Sequence, residues 1–158
     1  SGKLNLEMGG AGFYLFNLEQ TAHSPHYYYH KFDPEDEKSH RRSIYRFVVR
    51  SQPNPFMTTL DCADSSQSTP KRNETLTALQ ALSLLNNKFT LVMARHFADR
   101  LAGEEEKITR QVGIGFELVA GRPPSAEEQN LLAEYASKHG MANLCRSLFS
   151  LSEFAFID

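Results

Sequence analysis

The sequence contains no tryptophan and only two cysteines, Cys62 and Cys145, and neither lies in a Cys-x-x-Cys pair. That excludes the usual thiolate zinc frameworks. It also excludes covalent c-type haem attachment, which needs Cys-x-x-Cys-His, so any haem would belong to an upstream domain and no cofactor is expected in this chain. The two cysteines could form one disulfide or stay as thiols; the thiol reading is preferred, because free cysteine packs as a small hydrophobe. Also missing is any apolar run of the roughly 18 residues a membrane span needs, and any basic-then-apolar leader. Charge of one sign is lacking too. A formal net charge of −2 and a pI near 6.3 give no overall field toward nucleic acid or an anionic membrane, so any electrostatic binding would have to come from a local patch, and no nucleic-acid partner and no membrane span are expected. The opening Ser1-Gly2-Lys3-Leu4 does not read as a natural start. The expectation is a segment of a larger chain whose targeting signals lie upstream.

What is present suits a globular domain. With 158 residues, 41% hydrophobic and 23% charged, the chain has material for a core that buries about two-thirds of its unfolded surface, and it reads as a single domain. Residues 1–40 look irregular: Gly9-Gly10 and Gly12, then Tyr27-Tyr28-Tyr29, then the acidic stretch from Asp33 to Glu37. Phe13, Tyr14, Phe16 and Phe32 make this arm too apolar for a solvated tail, so it should pack on the helices or on a neighbour. Between Arg41 and Ser51, Arg42, Arg46 and Arg50 fall on one side of a helical wheel and Ile44, Tyr45, Phe47, Val48 and Val49 on the other. This predicts a short amphipathic helix, ended by Pro53 and Pro55, followed by a loop to Arg72.

Beyond the loop the pattern is helical. Asn73 or Thr75 can cap a helix to Asn86 whose leucines and alanines spread around most of its circumference, which predicts a central, buried position. Lys88–Leu101 has one apolar face and predicts a surface helix. Residues 105–120 follow with a stop at Gly121, and Gly113 and Gly115 inside that segment predict a close helix crossing. Ser125 with Glu128 forms a capping box for a helix stopping at Gly140. Met141, Leu144, Cys145 and Leu148 mark the last helix, before an apolar tail from Phe154 to Asp158 that must bury. The expected fold is mainly α: a bundle of about five helices behind a long, aromatic-rich, irregular N-terminal arm.

Several blocks together resemble one family: Arg41-Arg42-Ser43-Ile44-Tyr45, then Phe56-Met57-Thr58-Thr59-Leu60-Asp61, Thr69-Pro70-Lys71-Arg72-Asn73, and Leu79 to Asn87. Phe116 to Pro124 and Leu148 to Asp158 resemble its closing blocks. The family is planctomycete-specific domain one, a bacterial domain of unknown function numbered 1553 in that series. The resemblance implies the C-terminal module of a large exported or periplasmic protein, with a cytochrome-c-like domain and a second uncharacterised domain upstream as sibling partners. It implies no activity.

The residues offer several faint chemical signals. His23, His26 and His30 lie close enough in sequence to ligate a metal, although their spacing fits no standard framework. Asp61 and Asp64 supply oxygens without the alternation of a calcium loop. Arg42, Arg46, Arg50, Lys71 and Arg72 could form an anion or docking face, or pair with the acidic 33–37 stretch. Gln80 and Asn86 are polar positions on an apolar helix, suited to satisfying backbone groups. No catalytic residue is assigned. The leading expectation is a non-catalytic docking module; the alternative is part of a hydrolytic or saccharide-processing site at a domain junction, using Asp61, Asp64 and a histidine.

Overall fold

The computed structural model describes residues 1–63, 68, 70 and 77–155, in two compact units: Lys3–Ser83, and Leu84–Asp158 together with Ser1–Gly2. The architecture is mainly helical, with one two-stranded sheet.

In the Lys3–Ser83 unit, β1 (Asn17–Gln20) pairs antiparallel with β2 (Pro25–Tyr28), in the register Asn17↔Tyr28 to Gln20↔Pro25. The turn is closed by Thr21, whose hydroxyl donates to the Ser24 carbonyl at 2.7 Å. This hairpin gives the expected N-terminal arm an ordered stretch that the sequence does not announce. Its first strand carries a single apolar residue, Leu18, so there is too little alternation to register as a strand. The unit closes around Phe13, Phe16 and Val49, all buried. Phe16 meets Tyr27 at 5.0 Å, Tyr14 at 5.3 Å and Tyr29 at 5.5 Å between ring centroids, each edge to face, the geometry that ring quadrupoles favour. His40 is also buried, with Nε2 at 2.8 Å from the Pro34 carbonyl oxygen, which fixes the Nε2–H tautomer.

The amphipathic helix expected over 41–51 does not form. A single 3₁₀ turn, Ser43–Tyr45, is followed by extended backbone at Arg46. The Phe13 N–H donates to the Tyr45 carbonyl at 3.1 Å, and the Phe47 N–H donates to the Phe13 carbonyl at 2.7 Å. Strand propensity in Ile44, Tyr45, Phe47, Val48 and Val49 therefore prevails over helical periodicity, because a partner segment distant in sequence supplies the backbone bonds. Gly12 allows the approach: a Cβ there would lie 2.9 Å from the Tyr45 carbonyl oxygen. Pro55 is a start signal, not a stop. It opens α1 (Pro55–Thr59), and the Asn54 side chain accepts from the Met57 N–H at 3.2 Å.

The boundary between the units falls within α2 (Ala78–Asn86); the cap expected at Asn73 or Thr75 lies outside the described residues. α2 is not the buried centre. Its one buried residue is Gln80, whereas Leu79 and Leu82 are 62% and 55% exposed. An apolar circumference is buried only where neighbours pack on every side, and at Leu79 and Leu82 more than half of the residue surface stays exposed. The centre of the helical unit is instead α3 (Lys88–Glu104), which buries Thr90, Val92, Met93, Ala94, Phe97, Ala98 and Leu101. That corrects the surface-helix expectation: the buried arc is wide enough to take neighbours on more than one side. α4 (Ile108–Ala120), α5 (Ala126–His139) and α6 (Met141–Leu148) complete a core that includes Val112, Phe116, Leu144 and Leu148. Gly115 sits where a Cβ would meet Leu101 Cδ1 at 2.9 Å, the close crossing its sequence predicts. α7 (Ser152–Ala155) brings Phe154 to stack on Phe149 at 5.1 Å; residues 156–158 of the expected tail lie outside the described residues.

The start of α5 is as its sequence predicts. Ser125 Oγ accepts from the Glu128 N–H at 3.2 Å, and the Glu128 carboxylate accepts from the Ser125 N–H at 2.7 Å and from Arg122 at 2.8 Å. The Arg122 guanidinium, with the Ser125 N–H, holds the Glu128 carboxyl at about 2, below its ordinary 4.5. A depressed carboxyl stabilises the fold above its unfolded value, and that stabilisation is lost as pH falls from about 4.5 through about 2. Glu128→Gln should therefore flatten the acid limb of the pH–stability curve in this window; urea titrations at stepped pH would measure it.

Candidate functional site

The chemically distinctive corner of the Lys3–Ser83 unit forms where α1 ends. The Asp61 N–H donates to the Thr58 carbonyl at 3.2 Å and the Cys62 N–H to the Met57 carbonyl at 3.0 Å, the paired closing bonds of a Schellman turn. Asp61 takes the left-handed position at φ 55°, normally given to glycine; a short polar side chain tolerates it at a cost of about 1 kcal/mol. The turn aims two side chains. Asp61 Oδ2 accepts from Gln80 Nε2 at 2.9 Å, while Gln80 Oε1 accepts from the Thr77 N–H at 2.9 Å. Cys62 Sγ accepts from Arg46 Nη2 at 3.1 Å. Arg46 and Cys62 line a cavity of about 180 Å³ with Val49, Asn54, Met57 and Thr58. Chemically the corner offers a half-buried sulfur nucleophile beside a fixed cation. Asp61→Ala should cost about 1.5 kcal/mol, from the left-handed backbone and the lost Gln80 acceptor, and Asp61→Asn clearly less; denaturant midpoints would separate the two.

The other sequence-predicted residues are dispersed. His23 is exposed in the hairpin turn, His26 lies on β2 opposite Glu19, and His30 falls in the 3₁₀ turn Tyr29–Lys31. The rings of His26 and His30 stand 6.2 and 5.6 Å from the Tyr28 ring, over which Lys31 Nζ lies at 4.1 Å. Among the described residues no group of three or more His, Cys, Asp or Glu side chains could hold a metal ion. Asp64, Lys71 and Arg72 lie outside the described residues. Arg42 and Arg50 are exposed and Arg46 is half-buried, and the helix that was to align them does not form. Asn86 is exposed and its Oδ1 accepts from Arg146 Nη2 at 2.7 Å, while Arg146 Nε donates to the Leu85 carbonyl at 2.6 Å.

Two residues matter more than their sequence signal suggests. Arg41 donates to the carbonyls of Ala11 at 3.0 Å, Glu7 at 3.1 Å and Gly9 at 2.5 Å, and its guanidinium lies 4.4 Å from the centre of the Tyr45 ring. All three acceptors are backbone carbonyls of the segment from Glu7 to Ala11. The glycine-rich run from Gly9 to Gly12 was the available hint. Cys62 had none, because a Schellman turn without glycine leaves no mark in the sequence.

Among the described residues no helix is long and apolar enough to cross a membrane. Comparison with curated proteins and with solved structures gives no match. The profile of the family described as "Protein of unknown function (DUF1553)", PSD1, matches residues 1–136, most of the chain, including the whole hairpin, the Arg46–Cys62 corner and the start of α5. On that match, the chain belongs to the PSD1 (DUF1553) family.

Proposed function

We propose that this chain is a non-catalytic docking module of an exported, planctomycete-type multidomain protein, packing on sibling domains of which one is cytochrome-c-like. Any redox role is then by association. One observation carries the reading: on the Lys3–Ser83 unit, Tyr14 and Phe47 stand 55% and 49% exposed with ring centroids 5.1 Å apart, and both rings are braced by buried Phe16. Exposed rings already held by a core lose little rotamer freedom on binding, which is the property of anchor residues at interfaces. The hairpin points the same way. Every residue of β1 is exposed, and a two-stranded ribbon is marginal unless something packs on it. The alternative hydrolytic reading finds no support at Asp61, whose carboxylate is held by Gln80.

The test uses the chain and the remainder of its polypeptide as separate pieces. Tyr14→Ser with Phe47→Ser should weaken their binding about 30-fold, taking about 1 kcal/mol for each anchor. Calorimetry would read it. Unchanged affinity in a variant with native circular dichroism would remove this face from the account.

A further inference from the structure

We infer that Cys62 is a modification site for anionic low-molecular-weight disulfides, with Arg46 holding the carboxylate of the incoming reagent. The sulfur does not stand alone. It lies 3.1 Å from a half-buried guanidinium, and both line the same cavity of about 180 Å³. Among the described residues that hydrogen bond is the one the Arg46 side chain makes, and no carboxylate pairs with it. A guanidinium has five N–H donors in a fixed fork suited to a carboxylate. The donors not directed at Cys62 are therefore available beside the thiol.

Cys145 provides an internal contrast. It is fully buried in the helical core, and burial pushes its thiol up to about 12. It should be inert while the chain is folded.

The reaction is thiol–disulfide exchange. Cys62 loses its proton to solvent, and Sγ attacks one sulfur of the reagent. A new S–S bond forms as the old one breaks, and the other half leaves as a thiolate with the bonding electron pair. The incoming disulfide is the oxidant. Arg46 acts on the reagent directly: the donors not engaged by Cys62 Sγ hold its carboxylate, and the guanidinium takes no part in the covalent exchange.

The test compares two reagents on a Cys145→Ala chain: dithiobis(nitrobenzoate), a dianion, and dipyridyl disulfide, which is neutral. The ratio of the anionic to the neutral rate should be about tenfold higher in the folded chain than in the same chain unfolded in urea, as expected from one charge-assisted hydrogen bond. Arg46→Met should bring the folded ratio down to the urea value, and Arg46→Lys should restore part of it. Equal ratios in folded and unfolded wild-type chains would overturn the inference without any Arg46 variant. So would an Arg46→Met chain of native circular dichroism that kept the wild-type ratio. In the unsubstituted chain, peptide mapping that found the label on Cys145 before Cys62 would also overturn it.

Discussion

Phe97→Ala is expected to cost about 4 kcal/mol, a large share of what a domain of this size has. Phe97 is 2% exposed at the middle of α3, and its ring stacks on Phe149 at 5.6 Å. Phe149 in turn carries Phe154, so truncation opens a cavity and also removes the surface on which that stack rests. Leu131→Ala on α5 gives the contrast, since Leu131 is 65% exposed and should change stability by no more than about 0.5 kcal/mol. Denaturant titrations of both variants by far-ultraviolet circular dichroism would measure the difference. A loss under about 1 kcal/mol for Phe97→Ala would mean that α3 is not the centre of the core.

The second large effect separates two glycines on one helix. Gly115→Val should cost about 3 kcal/mol, because even its Cβ would stand 2.9 Å from Leu101 Cδ1, and Leu101 is itself fully buried, so any shift presses on the core around it. Gly113→Ala should do the opposite. Its Cβ would meet Gln129 Oε1 at 3.3 Å, the far end of a half-buried side chain, so the gain of about 1 kcal/mol in helix propensity should survive. Thermal melts would show opposite shifts. Equal and small shifts would mean that the α3–α4 crossing is looser than its geometry shows.

The helices from α3 onward were legible because local chemistry decides them. Ser125 and Glu128 cap α5 within four residues of chain, and Gly121 and Gly140 end α4 and α5 at φ 71° and 88°. Residues 41–51 mislead for the opposite reason: Tyr45 and Phe47 exchange backbone hydrogen bonds with Phe13, and Arg41 pairs with Asn5 in an isolated bridge, each more than 30 residues away, and no local period records such a partner. Burial proved less legible than helix type. α2 has leucines on most sides yet leaves Leu79 and Leu82 exposed, while α3, with a charged edge, holds the centre. The Arg46–Cys62 corner was invisible for both reasons together. It depends on a left-handed aspartate and on an arginine expected on a helix that does not form.

The same Phe13 pairing explains the surface that the docking proposal needs. By bonding both Tyr45 and Phe47, Phe13 fixes the backbone of two segments and sets the Tyr14 and Phe47 rings side by side. Stored this way, the anchors are ordered before any partner arrives. The most direct measurement is amide hydrogen exchange on this chain, alone and within its full polypeptide. Docking through this face predicts slower exchange over residues 14–18 and 44–50 in the full polypeptide, with the α3 core unchanged. Identical exchange over both segments in the two forms would contradict it.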